Sequence, residues 1–201
     1  EDAPAGTYFS THDAFPGRGA DNVIIDGRVV ALGAGAPGLE NALYDEVRGK
    51  GFKHVKTIAG GVTIQGGWPE VWRANLWVRG ASRVLARIAS FKTQHLQHLE
   101  AHTKTIPWNN VLNTNHSFRV EVSCSKSRIY HSGAAAERIE RAIKDVLKIP
   151  SAGDADILIM GRIDHDICTL SVDTSGALLH KRGYKSAVNK APMRENMASL
   201  F

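Results

Sequence analysis

Apolar residues along this chain switch between two periods. From Arg28 a short apolar run, Arg28-Val-Val-Ala-Leu32, predicts a strand. Leu39, Leu43 and Val47 then recur at helical spacing behind Pro37, and Gly49 and Gly51 end the helix. His54 to Ile58 and Gly61 to Gln65 read as two strands joined at Ala59-Gly60. A second helix follows Gly66-Gly67 and carries Val71, Trp72, Asn75 and Leu76, and Ser82 to Phe91 alternates as a strand. The order strand–helix–strand–strand–helix–strand is that of a ferredoxin-like fold.

The polar stretch Lys92 to Lys104 predicts a linking helix with Leu96 and Leu99 inward. Pro107 stops it, and Trp108 and Val111-Leu112 form an apolar anchor. A second α/β unit then begins. Phe118, Val120, Val122 and Cys124 point to one side of a strand, and Arg119, Glu121 and Ser123 to the other. Ser132 is placed to cap a helix striped with Ala135, Ile139, Ala142, Ile143, Val146 and Leu147. Strands at Asp156 to Ile163 and Ile167 to Asp173 are joined by the polar turn Asp164-His165-Asp166. A turn at Thr174-Ser175-Gly176 leads to the basic tip His180-Lys181-Arg182-Gly183-Tyr184. The fold class is α+β: an irregular segment over 1–27, a ferredoxin-like domain over 28–91, a second α/β domain over 92–184, and an exit segment over 185–201 that starts a further element.

Charge sharpens this picture. The net charge is +5, yet residues 1–26 hold five acids and one base, so the remainder carries about +9. A basic body favours a polyanion. Cys124 and Cys168 sit in strand patterns without a C-x-x-C and read as reduced, buried thiols. No apolar run reaches the roughly 18 residues of a membrane span, and no signal-peptide pattern occurs, so a cytoplasmic protein without membrane partners is expected.

Gly33-Ala-Gly35-Ala-Pro-Gly38 matches G-x-G-x-x-G after a strand, but no acidic residue follows at the end of the next strand, and Pro37 removes an amide. His95, His98 and His102 share a helical face with no further ligands nearby, which fits a solvated face better than a metal site. Asp164-His165-Asp166 fits a turn better than an acid/base triplet. No catalytic constellation and no metal site emerge. The basic features carry more. Ser125-Lys126-Ser127-Arg128 lies between a strand and a helix start, where hydroxyls, cations and helix amides suit phosphate. Lys181, Arg182 and Lys185 surround Tyr184, a ring able to stack on a base while the cations hold backbone.

Several segments carry a resemblance: Ala36-Pro-Gly-Leu-Glu40, Gly60-Gly-Val-Thr63, Asn75 to Arg87, Phe118-Arg-Val-Glu-Val, Asp173-Thr-Ser-Gly176, Leu179 to Tyr184 and Ala191 to Asn196. Residues 28–201 resemble the region preceding the catalytic domain in bacterial THUMP-domain RNA methyltransferases, most closely the large-subunit rRNA guanine-N2 enzymes. The resemblance implies a ferredoxin-like domain and a THUMP domain ahead of a Rossmann-like S-adenosylmethionine-dependent domain. The cofactor loop and Asn-Pro-Pro-Tyr-type motif of that family are missing here. The expectation is an RNA-binding, substrate-targeting region, not catalytic and without a cofactor of its own, with S-adenosylmethionine used by a catalytic domain elsewhere in the parent. RNA is the expected partner, rRNA ahead of tRNA. Lys126, Arg128, Lys181, Arg182, Tyr184 and Lys185 are the candidate RNA-binding residues. A small nucleotide-binding enzyme using Gly33–Gly38 and a non-catalytic assembly protein are the alternatives.

Overall fold

The computed structural model describes residues 24–25, 29–34, 38–112, 115–155, 157–183 and 193–201. They fall into two compact units. One draws on 28–86 and 174–201, the other on 1–27 and 87–173.

The first unit holds β2 (Val29–Ala34), α1 (Glu40–Gly49), β3 (Lys56–Ile58), β4 (Gly61–Gln65), α2 (Trp68–Trp77) and the first half of β5 (Ala81–Lys92). Its strands lie in the order β3-β4-β2-β5. Central β2 pairs antiparallel with both β4 (Leu32↔Val62) and β5 (Leu32↔Val84). This is the ferredoxin-like order. The period-2 positions Val30, Leu32, Val62, Ile64 and Val84 meet Leu43 and Val47 of α1 and Val71 and Ala74 of α2 in one core. Each fully buried aliphatic side chain of this kind contributes about 1.5–3 kcal/mol. The strand at His54 is shorter than its pattern suggests, because His54 takes a left-handed backbone (φ 53°) and pairing begins only at Lys56. Of the four residues the sequence placed on helix α2, only Val71 is buried. Val71, Ala74 and Val78 face inward, whereas Trp72 and Leu76 are exposed.

The returning segment Thr174-Ser175 belongs to this unit. The Thr174 N–H and hydroxyl both donate to the Val84 carbonyl, at 3.0 and 2.8 Å. The Val84 N–H donates to Ser175 Oγ at 2.7 Å, and Asn75 bridges both hydroxyls at 3.0 and 3.1 Å. These bonds explain why Asn75 and the Asp173-Thr-Ser-Gly176 segment stand out together in the sequence. A short 3-10 turn, Leu179–Lys181, and α5 (Glu195–Ala198) follow.

The second unit holds β1 (Ile24–Ile25), the second half of β5, α3 (Leu96–Lys104), β6 (Phe118–Ser125), α4 (Ser132–Leu147), β7 (Ile157–Asp164) and β8 (Ile167–Asp173). The segment read as irregular thus supplies a two-residue strand, with Ile24 opposite Ser90. Strands run β5-β8-β7-β6, with β6 parallel to β7 and β7 antiparallel to β8. His165 and Asp166 both have positive φ (50° and 61°), as a two-residue hairpin turn of the I′ type requires. Trp108, Leu99, Phe118, Ile139, Ile143, Ile159 and Leu170 form the core. The buried Trp108 indole N–H donates to the Thr103 carbonyl at 2.8 Å, which is why this apolar anchor tolerates a polar atom. The cap of α4 differs from expectation. His131, not Ser132, is the N-cap, and its Nδ1 accepts the Ala134 N–H at 3.2 Å.

Candidate nucleic-acid interface

The loop leaving β6 is the best-defined polar structure in the second unit. Lys126 adopts a left-handed backbone (φ 44°), a conformation an L-residue holds only when neighbours enforce it. Asp166, at the tip of the β7–β8 hairpin, enforces it. Its carboxylate accepts the Arg128 N–H at 2.8 Å and Gln94 Nε2 at 3.0 Å. Its own N–H donates to Ser127 Oγ at 2.9 Å, and its carbonyl accepts the Thr93 N–H at 2.8 Å. The Arg128 backbone N–H, aided by Gln94, holds the Asp166 carboxyl below the usual carboxylate range. The Asp164-His165-Asp166 stretch is therefore a turn whose last residue organises the basic loop.

Beyond Arg128 the chain dips to bury Ile129 and then turns Tyr130 out, 84% exposed. An open groove of about 580 Å³ lies here, lined by Gln94, His95, Gln97, Arg128, Tyr130 and His131 among others. Arg128 Nη1 reaches across to Gln94 Oε1 at 3.1 Å. The first turn of α3 borders the groove, as do the N-cap of α4, His131, and Arg138 further along that helix, and helix N-termini favour anions. The helices are tied together. Glu100 accepts from Arg138 at 2.8 Å and meets Lys104 at 3.0 Å, and Lys104 meets Asp145 at 2.7 Å. Arg138, then Lys104, keeps the Glu100 carboxyl below its ordinary range. A cation, amide side chains, imidazoles and one exposed ring around an open groove suit a nucleotide: phosphate on the cation and helix ends, base on the ring. Of the sequence candidates Arg128 lines this groove and Lys126 lies two residues earlier, whereas the lining residues Tyr130, Gln94 and His131 were not among the candidates. The burial of Ile129 sets the direction of Tyr130, and local composition does not announce it.

The remaining candidates are placed elsewhere. Lys181 is exposed in the first unit. The Arg182 guanidinium donates to the carbonyls of Asn75 (2.7 Å), Leu76 (3.2 Å) and Val78 (3.0 Å), closing the C-terminus of α2. Tyr184 and Lys185 lie outside the described residues. Within the glycine-rich match, Gly35 to Pro37 also lie outside them. At the start of α1 the Glu40 carboxylate accepts the Gly38 N–H at 2.8 Å and the Gly60 N–H at 3.2 Å. The carboxylate of Glu40 thus takes up the amides of Gly38 and Gly60. His102 packs against the Phe91 ring at 5.1 Å, and among the described residues no group of three His, Cys, Asp or Glu side chains is placed to hold a metal ion. Cys168 is fully buried and desolvation pushes its thiol up to about 12; burial also raises Cys124. No described helix is long and apolar enough to cross a membrane.

The fold and groove define a ferredoxin-like domain joined to a THUMP domain. The RlmL ferredoxin-like domain model matches residues 34–85 and the THUMP domain model residues 93–173. The chain therefore carries an RlmL-type ferredoxin-like domain followed by a THUMP domain. It is 35% identical to a ribosomal RNA large subunit methyltransferase K/L of Syntrophotalea carbinolica, over 82% of this chain and 24% of the relative. A protein of the same description from Psychromonas ingrahamii is 32% identical over 82% of this chain and 23% of its own length. A solved structure described as a predicted N6-adenine-specific DNA methylase of Listeria monocytogenes superposes with a TM-score of 0.73 at 32% identity, covering 86% of this chain and 46% of that one. The chain thus spans about a quarter of the length of the curated relatives it matches.

Proposed function

We infer that this chain is the RNA-binding and targeting region of an S-adenosylmethionine-dependent rRNA methyltransferase, with large-subunit rRNA guanine N2 as the modified class. It captures RNA and presents it to a methyltransferase domain of the parent protein, and it performs no methyl transfer itself. The observation that carries this reading is the Lys126–Tyr130 loop, held in a strained shape by Asp166 beside an open groove. The names of the relatives support rRNA over tRNA, and with it a reaction in the cytoplasm, where rRNA is modified. Single-stranded ends and loops are the targets, since A-form duplex hides its base edges. In this reading Lys181 and Lys185 hold RNA backbone and Tyr184 stacks on a base, while the Arg182 head is engaged by the carbonyls that end α2.

A salt titration of binding to a structured RNA carrying a single-stranded end tests this. Affinity falls steeply with salt as phosphate-bound counterions are released, and Lys126→Ala with Arg128→Ala flattens the slope by about one unit for each phosphate no longer held. Affinity independent of salt, or unchanged in that double variant, overturns the reading.

A further inference from the structure

Helix α2 of the ferredoxin-like unit has an outward face that ordinary amphipathic helices do not have. Val71, Ala74 and Val78 fill the inward positions. The opposite face should be polar, yet Trp72 is 49% exposed, Leu76 67% and Trp77 58%. Trp72 and Trp77 stand about 140° apart round the helix with exposed Leu76 between them, so the three span the outward half of α2. Arg73, itself exposed, lies between them in sequence; its guanidinium sits 4.4 Å over the Phe52 ring and donates to the Lys50 carbonyl at 2.7 Å. Arg79 is exposed just past the helix, and Arg182, clasping the last carbonyls of α2, brings exposed Lys181 to the same end.

Charge identifies the occupant. Residues 28–86 hold eight Lys/Arg and four Asp/Glu, and residues 174–201 hold five and one, so the sequence of this unit carries +8. Residues 87–173, with eleven and ten, carry +1. The excess positive charge of the sequence therefore falls in residues 28–86 and 174–201 and not in 87–173. Flat aromatic faces set among cations are the arrangement that holds unpaired nucleotides, with bases stacked and phosphates paired. An apolar protein partner would find no use for the cations. We propose that the Trp72–Trp77 face of α2 is a second RNA site, a stacking platform for unpaired nucleotides flanked by Arg79 and Lys181. It rests on the RNA-binding reading above, and it gives the ferredoxin-like domain a recognition role separate from the THUMP groove.

The full 201-residue chain is titrated with a labelled, unstructured RNA of about twelve nucleotides, following affinity and tryptophan fluorescence across salt concentrations. The platform predicts that W72A/W77A weakens binding about tenfold or more with an unchanged salt slope. W72F/W77F keeps affinity within about threefold, because phenyl rings still stack, but loses most of the RNA-induced quenching. R79Q flattens the slope. Full affinity in W72A/W77A overturns the proposal, including the case in which the same variant abolishes association with a protein. A loss that W72F/W77F shares in full, accompanied by loss of helical signal, overturns it as well, since packing would then be the cause. K126A/R128A is run in parallel. If it weakens binding and W72A/W77A does not, only the platform falls; if the wild type binds no RNA, the RNA-binding reading itself falls.

Discussion

The carboxylate of Asp166 accepts the backbone N–H of Arg128 across thirty-eight residues of chain, at 2.8 Å. That bond fixes the basic loop from outside, so the loop's shape depends on a residue that touches no ligand. Asp166→Ala removes it together with the Gln94 bond. Lys126 then relaxes from its left-handed backbone, and RNA affinity falls although every cation is kept. The pH dependence has a definite sign. The folded carboxyl titrates below its unfolded value, so the clamp is present above the unfolded value and is lost as pH falls through the folded one. The Arg128 amide chemical shift should be constant through neutral pH and move only in acid. In D166A it should already be displaced at neutral pH.

Arg182 separates stability from binding. Its three bonds to the carbonyls of Asn75, Leu76 and Val78 terminate α2, and its Nε is buried. Arg182→Ala should destabilise the ferredoxin-like unit by about 1–3 kcal/mol, the scale of hydrogen bonds to a charged group. Arg182→Lys recovers only part of this, because an ammonium cannot match the planar fork. Thermal unfolding of the two variants checks the order.

The central residue of α4 tests the THUMP core. Ile139 is fully buried, and its Cδ1 lies 3.4 Å from the position a Cβ on Gly161 would take. Ile139→Ala should cost about 2–5 kcal/mol, the range for emptying a packed aliphatic site. Denaturant unfolding should show this as a lower midpoint with little change in slope.

Both domains were legible in the sequence because period-2 and period-3.6 patterns decide which face is buried. The alternation Phe118, Val120, Val122, Cys124 survives, and so does the α4 stripe apart from Val146, which is exposed. What escaped depends on long-range partners. Nothing near Trp72 tells that Val78, two turns later, takes the inward place. Nothing near Arg182 tells that its head will meet carbonyls more than a hundred residues earlier. Tyr130 was invisible for a related reason: its exposure follows from Ile129 entering the core, which local composition does not signal.

The chain should not act on S-adenosylmethionine. At the Gly33–Gly38 match Glu40 takes up the amides of Gly38 and Gly60, and its own backbone N–H, joined by those two, holds its carboxyl below the usual range. Calorimetry with S-adenosylmethionine should show no heat of binding, and no methyl group should pass to RNA. Stoichiometric binding would contradict the targeting role.

Tyr130 and the cations of its loop should fail in different ways. Lys126 and Arg128 act through charge, so replacing either with Ala should reduce the salt dependence of RNA binding by about one unit per phosphate released. Arg128 has a second duty. Its Nη1 holds Gln94 at 3.1 Å, and Gln94 holds Asp166, so R128A should also loosen the groove wall and weaken binding more than K126A. Tyr130 carries no charge and is 84% exposed, so Tyr130→Ala leaves the fold intact. If the ring stacks on a base, that variant costs about 1–3 kcal/mol of affinity at every salt concentration, giving a parallel shift of the salt plot. Tyr130→Phe should recover most of it, because stacking needs the ring and not the hydroxyl. A change of slope in Y130A, or no shift at all, would remove the ring from the binding surface and leave recognition to the cations.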